Sequence, residues 1–128
     1  MIMGDFEFHV DQTKNRLYIR LSGFFRESES DALFAALKTC LDQVRSGFDA
    51  VTDVRGLRPG SPKTAADLEK AVQMIKDAGR NRAVRITGGV VTGIMQFTRV
   101  VQSVLGNDTK VRYVSSPEEA DRILDSPW

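Results

Sequence analysis

The chain has 128 residues, 41% of them apolar and 27% charged, with 18 lysines and arginines against 17 acids. That length suits a single domain over 1–128 that buries about two-thirds of its unfolded surface, and a net charge of +1 gives no electrostatic basis for general binding of nucleic acid or membrane surfaces. No apolar run approaches the ~20 residues of a membrane span, the opening MIMGDFEF has no signal-peptide core, and Cys40 stands alone, so a cytoplasmic protein is expected.

The first elements are strands. Phe6, Phe8 and Val10 alternate with Glu7 and His9, and Leu17, Ile19 and Leu21 alternate with Tyr18 and Arg20. Joined by the polar DQTKN, the two runs predict an opening hairpin, closed by Gly23. Ser28 to Ser46 carries Leu33, Leu37, Cys40, Leu41 and Val44 on one helical face, with Gly47 as its stop. Phe48 to Val54 predicts a third strand. A helix over Ala65 to Ala78 repeats Leu68, Val72 and Ile75 and ends at Gly79. Ala83 to Ile86 predicts the fourth strand, broken by Gly88 and Gly89.

Beyond that break, Ile94, Phe97, Val101, Val104 and Leu105 line another predicted helix, and Val111 to Val114 a fifth strand. In SSPEEA, Ser116 suits an N-cap, Pro117 the first helical position and Glu119 the third place of a capping box. The order is β-β-α-β-α-β-α-β-α. It predicts an α/β fold with a mixed, mainly parallel five-stranded sheet, an N-terminal hairpin and four helices, because parallel neighbours need crossover connections.

Ligands and partners of open α/β sheets gather beyond the carboxyl ends of the strands. That rim comprises Gly23 to Arg26, Asp53 to Lys63, Thr87 to Gly93, and Ser115-Ser116. Candidate partner-binding residues on it are Phe25, Asp53, Arg55, Arg58, Ser61, Thr64, Gly88 and Gly89. Arginines on a glycine-containing loop suit a partner's carboxylate or phosphate, and an aromatic beside them suits a docking anchor. The plainer roles are an Asp53 carboxylate that holds its own loop, hydroxyls of Ser61 and Thr64 that cap a helix, and glycines that turn a corner.

Catalysis is not expected. One histidine and one cysteine leave no Cys/His zinc set within one chain, and His9 lies in an alternating strand pattern as an outward residue. No metal or cofactor signature is present, and Thr87 to Gly93 has neither GK[ST] nor GxGxxG. Six cations between Arg80 and Arg112 (Arg80, Arg82, Arg85, Arg99, Lys110 and Arg112) face one acid, Asp108. Such a bias steers charged partners or solvates a face.

LYIRLSGFF, GFDAVTDVRGL, the FTRVV helix and VRYVSSPEEADRIL together resemble a STAS domain, within it the SpoIIAA-like branch of stand-alone bacterial anti-sigma-factor antagonists. The resemblance implies a signalling module that binds a protein, such as an anti-sigma factor or a kinase-like regulator. Antagonists of that type carry Asp-Ser-[Ser/Thr]-Gly at the start of the helix after the third strand, with a phosphorylated hydroxyl. The matching place here is Ser61-Pro62-Lys63-Thr64, and Pro62 has no hydroxyl, so only a shifted acceptor, Ser61 or Thr64, could take phosphate. The alternative is a domain binding a small apolar or anionic ligand near Phe25, Arg55, Gly88 and Phe97. A dimer is compatible with each reading and specified by no sequence feature.

Overall fold

The computed structural model describes residues 5–24, 27–58, 61–87 and 110–127. The hairpin forms as the alternation requires. Strand β1 (Asp5–Asp11) pairs antiparallel with β2 (Arg16–Phe24) without interruption from Asp5↔Ser22 to Asp11↔Arg16. Asn15 takes the left-handed conformation (φ 56°) in the turn. Strands β3 (Asp49–Arg58), β4 (Ala83–Ile86) and β5 (Val111–Val114) follow in parallel, giving the sheet order β1-β2-β3-β4-β5. The α/β sheet is therefore five-stranded and mostly parallel, with β1 its antiparallel exception.

Two helices cover one face. After a 3₁₀ turn (Glu27–Glu29) comes α1 (Ser30–Leu41), and after β3 comes α2 (Pro62–Asp77). Leu17, Ile19 and Leu21 of β2, Ala50 and Val54 of β3, Leu33 and Leu37 of α1 and Leu68 and Ala71 of α2 form the core between them. The opposite face carries α3 (Pro117–Leu124), whose Ala120 and Leu124 pack on Val51, Val84, Ile86 and Val114. Period-two alternation thus sends odd and even residues of one strand into two separate cores. The helix expected around Phe97 lies outside the described residues.

Three expected boundaries are corrected, beginning with the second helix, which starts at Pro62 under its Ser61 cap instead of at Ala65. The first helix ends at Leu41 instead of Ser46, because Asn15 of the hairpin turn holds the next segment in another path. Its amide donates to the Arg45 carbonyl at 3.1 Å and its carbonyl accepts from the Arg45 N–H at 2.8 Å. Gly47 turns with φ +89°, but it lies beyond the Asp42 C-cap and is not the helix stop that was expected. The third strand runs on to Arg58 instead of ending at Val54, so much of the expected rim loop is strand. Between Arg20↔Asp53 and Ser22↔Gly56 the pairing slips, three steps on β3 matching two on β2. That bulge breaks the alternation and lets both Val54 and Leu57 enter the core.

Candidate functional site at the carboxyl rim and the open sheet face

Helix α3 starts at the carboxyl rim and runs back over its face of the sheet. Ser116 caps it, its hydroxyl accepting from the Glu119 N–H at 3.2 Å, with Pro117 in the first turn. Glu119 returns the bond one residue earlier than in a capping box, accepting from the Ser115 N–H at 3.1 Å. Further along, Asp121 accepts from the Tyr18 hydroxyl at 2.8 Å, and Asp125 from the buried Arg16 guanidinium at 2.8 Å. Arg82 completes the attachment. It holds both carboxylate oxygens of Asp49, at 3.1 and 2.6 Å, and donates to the carbonyls of Leu124 and Ser126.

This path leaves part of the face beside α3 open over β1, β2 and β3. There Glu7, His9, Tyr18, Arg20, Val51, Asp53, Ile86 and Pro117 line a groove, continued at the bulge by Ser22, Arg55 and Gly56. Charges alternate across it. Arg20 Nη2 lies 2.7 Å from the Glu7 carboxylate, and Arg55 clamps Asp53 through Nε at 3.0 Å and Nη2 at 2.8 Å. The Arg55 backbone N–H also donates to Asp53, at 3.1 Å. Burial alone would raise the Asp53 pKa, but the hydrogen bonds from Arg55, with the fields of Arg55 and Arg20, outweigh it and hold the carboxyl below its ordinary value.

The expected site residues are distributed as follows. Asp53 and Arg55 share this face within one strand, Arg55 where a loop was expected, and the Asp53 carboxylate fixes the arginine beside it as well as the backbone. Arg58 ends β3 and is half-buried. Ser61 is the N-cap of α2 and is exposed, its Oγ accepting from the Thr64 N–H at 3.2 Å. Thr64 is 2% exposed, and its hydroxyl donates to the Ser61 carbonyl at 2.9 Å. Phe25, Gly88 and Gly89 lie outside the described residues. On the rim beside β4, Thr87 donates its N–H to the Val114 carbonyl at 3.0 Å, tying the end of β4 to that of β5.

Several polar groups that organise the site are absent from that set. Asp67, 6% exposed, lies one turn into α2, where it accepts from the Ser30 hydroxyl of α1 and from Lys63 at 2.7 Å. Those hydrogen bonds, Lys63 first, lower its pKa against the effect of burial. A charged residue on the apolar stripe of α2, next to Leu68, was the available signal. Arg20 could have been found from strand alternation, which sets it on the face of Glu7. The cation-rich stretch is partly structural, since Arg82 is engaged with Asp49 and Arg85 is buried; Arg99 lies outside the described residues. Among the described residues, no group of three or more His, Cys, Asp or Glu could hold a metal ion, and no helix is long and apolar enough to cross a membrane.

Solved structures of similar fold include these two. One is an uncharacterized protein of the DUF3478 family with a SpoIIAA-like fold, from Shewanella loihica PV-4. It superposes with a TM-score of 0.70 at 16% identity, over 97% of this chain and 95% of that one. The other is the anti-sigma factor antagonist SpoIIAA in its unphosphorylated form, with a TM-score of 0.63 at 16% identity, over 97% of this chain and all of that one, 100%. The chain thus has the SpoIIAA-like fold. No family model matches the sequence, and no curated protein matches it.

Proposed function

We propose that the protein is a regulatory protein-interaction module of STAS type, anti-sigma-factor-antagonist-like, which docks its carboxyl rim onto a partner protein in the cytoplasm. The observation that carries this reading is the buried hydrogen-bonded support beneath the exposed start of α2. Ser61, Pro62 and Lys63 are exposed there, while Thr64 and Asp67 beneath them are buried and hydrogen-bonded. A surface held this way loses little conformational entropy on docking. Arg55, its side chain 41% exposed and oriented by Asp53, offers a preset guanidinium to an acidic partner group. The shared fold with an anti-sigma factor antagonist supports the same class of partner.

Within this reading Ser61 is the hydroxyl a kinase could reach, and Thr64 serves the helix start. A phosphate on Ser61 would sit at the N-terminus of α2, a favourable place for negative charge. The test is affinity capture from the source cell. A protein retained by the wild type should be lost with Arg55→Glu or Lys63→Glu and kept with Asp42→Lys at the other end of the sheet. Equal retention by all three variants would defeat the proposal.

A second reading has one observation in its favour. Beneath α1 and α2 an apolar space of about 40 Å³ is lined by Leu21, Leu37, Ala50, Leu68, Ile75 and Arg85 among others, so a small apolar ligand with an anionic end would enter it only by parting the two helices from the sheet. Native mass spectrometry of freshly purified protein distinguishes the two, since a retained ligand adds a fixed mass and an apo mass argues against the ligand.

A further inference from the structure

Helix α3 is held to the sheet by less apolar contact than its two counterparts. Of its eight residues, Ala120 and Leu124 are buried and Ile123 is partly buried against the core of Val51, Val84, Ile86 and Val114. Helices α1 and α2 have 12 and 16 residues, and Phe34, Leu41, Val72, Met74 and Ile75 reinforce the buried side chains they put into the main core. Among the described residues, only the first end of α3 continues into a strand, through Ser115 and Ser116.

Charge supplies much of the remaining attachment. Asp125 accepts from Arg16 Nη2 at 2.8 Å and from Lys14 Nζ at 3.2 Å. Asp121 accepts from the Tyr18 hydroxyl at 2.8 Å and lies 3.7 Å from Arg16 Nη1. The two aspartates fall in the last turn and at the C-cap of α3, where negative charge opposes the helix dipole. An isolated helix would be better without them; on this sheet they answer Arg16. That side chain is 5% exposed, against 48% and 51% for the two aspartates, and its Nε and Nη1 have no hydrogen-bond partner among the described residues. A cation buried this deeply is costly without its acids, so docking depends on two carboxylates that solvent reaches. These contacts, with those of Arg82 to the Leu124 and Ser126 carbonyls, gather at the C-terminal end of the helix, opposite the Ser115-Ser116 connection.

We propose that α3 is a detachable strap, which leaves the sheet about Ser115 while α1, α2 and the sheet stay folded, and so uncovers Val51, Val84, Ile86 and Val114. Val51 and Ile86 already line the open groove together with Pro117 of α3, so opening widens that groove into an apolar surface. Local openings are drawn from elements with few buried apolar contacts, and a helix this short does not hold its form alone in water. The strap goes beyond docking at the rim and does not depend on it.

Native-state hydrogen exchange of the full chain, followed by NMR at urea concentrations below the unfolding transition, tests the strap without any substitution. Amides 120–124 should be protected about ten-fold less than the slowest amides of α2, and their exchange should depend less steeply on urea, because the opening exposes less surface than global unfolding. Asp121→Asn with Asp125→Asn should speed exchange in 120–124 about ten-fold more. Thiol labelling in a Cys40→Ser background reads what is uncovered. Val84 and Val54 are both 0% exposed, one beneath α3 and the other in the main core. Val84→Cys should be modified about ten-fold faster than Val54→Cys, with circular dichroism verifying that each is folded. Protection and urea dependence in 120–124 equal to those of α2, exchange there unmoved by the two asparagines, or equal labelling of the two thiols in folded variants would overturn the proposal.

Discussion

At the residue scale, the polar groups that matter most are carboxylates held in their charged form. Asp53 is clamped by Arg55, and Asp67 joins α1 to the start of α2 through Ser30 and Lys63. Both have pKa values below the ordinary carboxylate value. A depressed folded-state pKa gives stability that is fully present above the unfolded value of about 3.9 and is lost as pH falls through the lower, folded value. Urea unfolding from pH 6 to pH 2 should therefore show stability falling below about pH 4, and Asp67→Asn should flatten that fall. Asp67→Ala removes the acceptor of a buried hydroxyl and should cost about 1–3 kcal/mol at neutral pH. A variant as stable as the wild type would mean that Ser30 finds another partner at no cost.

The element scale shows why some of this was legible in the sequence and some was not. Both hairpin strands, β4, β5 and the serine-proline start of α3 depend on patterns within a few residues, and the structure has them where those patterns put them; α2 starts at its own Ser61-Pro62 pair, ahead of the apolar repeat that set its expected start at Ala65. The end of α1 depends on Asn15, thirty positions from Arg45, and the length of β3 depends on a bulge against β2. Neither is a local signal. The site was affected accordingly: Asp53 and Arg55 were recognisable as separate charged candidates at and beyond a strand end, but their pairing and the face they occupy followed only from the extended strand.

Gly56 records that pairing in its lack of a side chain. A Cβ there would lie 3.0 Å from the Ser22 Cβ, closer than two paired strands accept without moving. Gly56→Ala should destabilise by about 1–3 kcal/mol, and a double-mutant cycle with Ser22→Gly should show coupling that recovers part of the loss. Additive effects would refute the contact. Helix α3 is tested through Arg82, whose removal takes the guanidinium from the Asp49 carboxylate, leaving it the residue's own backbone N–H at 3.0 Å, and from the carbonyls of Leu124 and Ser126. Arg82→Ala should cost about 3–5 kcal/mol, with hydrogen exchange speeding up first in 117–125.

For the whole molecule, the topology separates two ends of different composition. At the amino ends of the parallel strands, Lys14, Arg16, Asp49, Arg82 and Asp125 are engaged with one another in attaching α3. At the carboxyl ends, β3 passes into an exposed helix start and β5 into the exposed Ser115. The partner recognition proposed above falls at the carboxyl end, where the exposed groups are held from beneath. Cross-linking mass spectrometry of a captured complex separates the two ends directly. The account predicts cross-links from Lys63, at the start of α2, to the partner. Cross-links confined to Lys14 and Lys76, on the hairpin turn and the far end of α2, would contradict it.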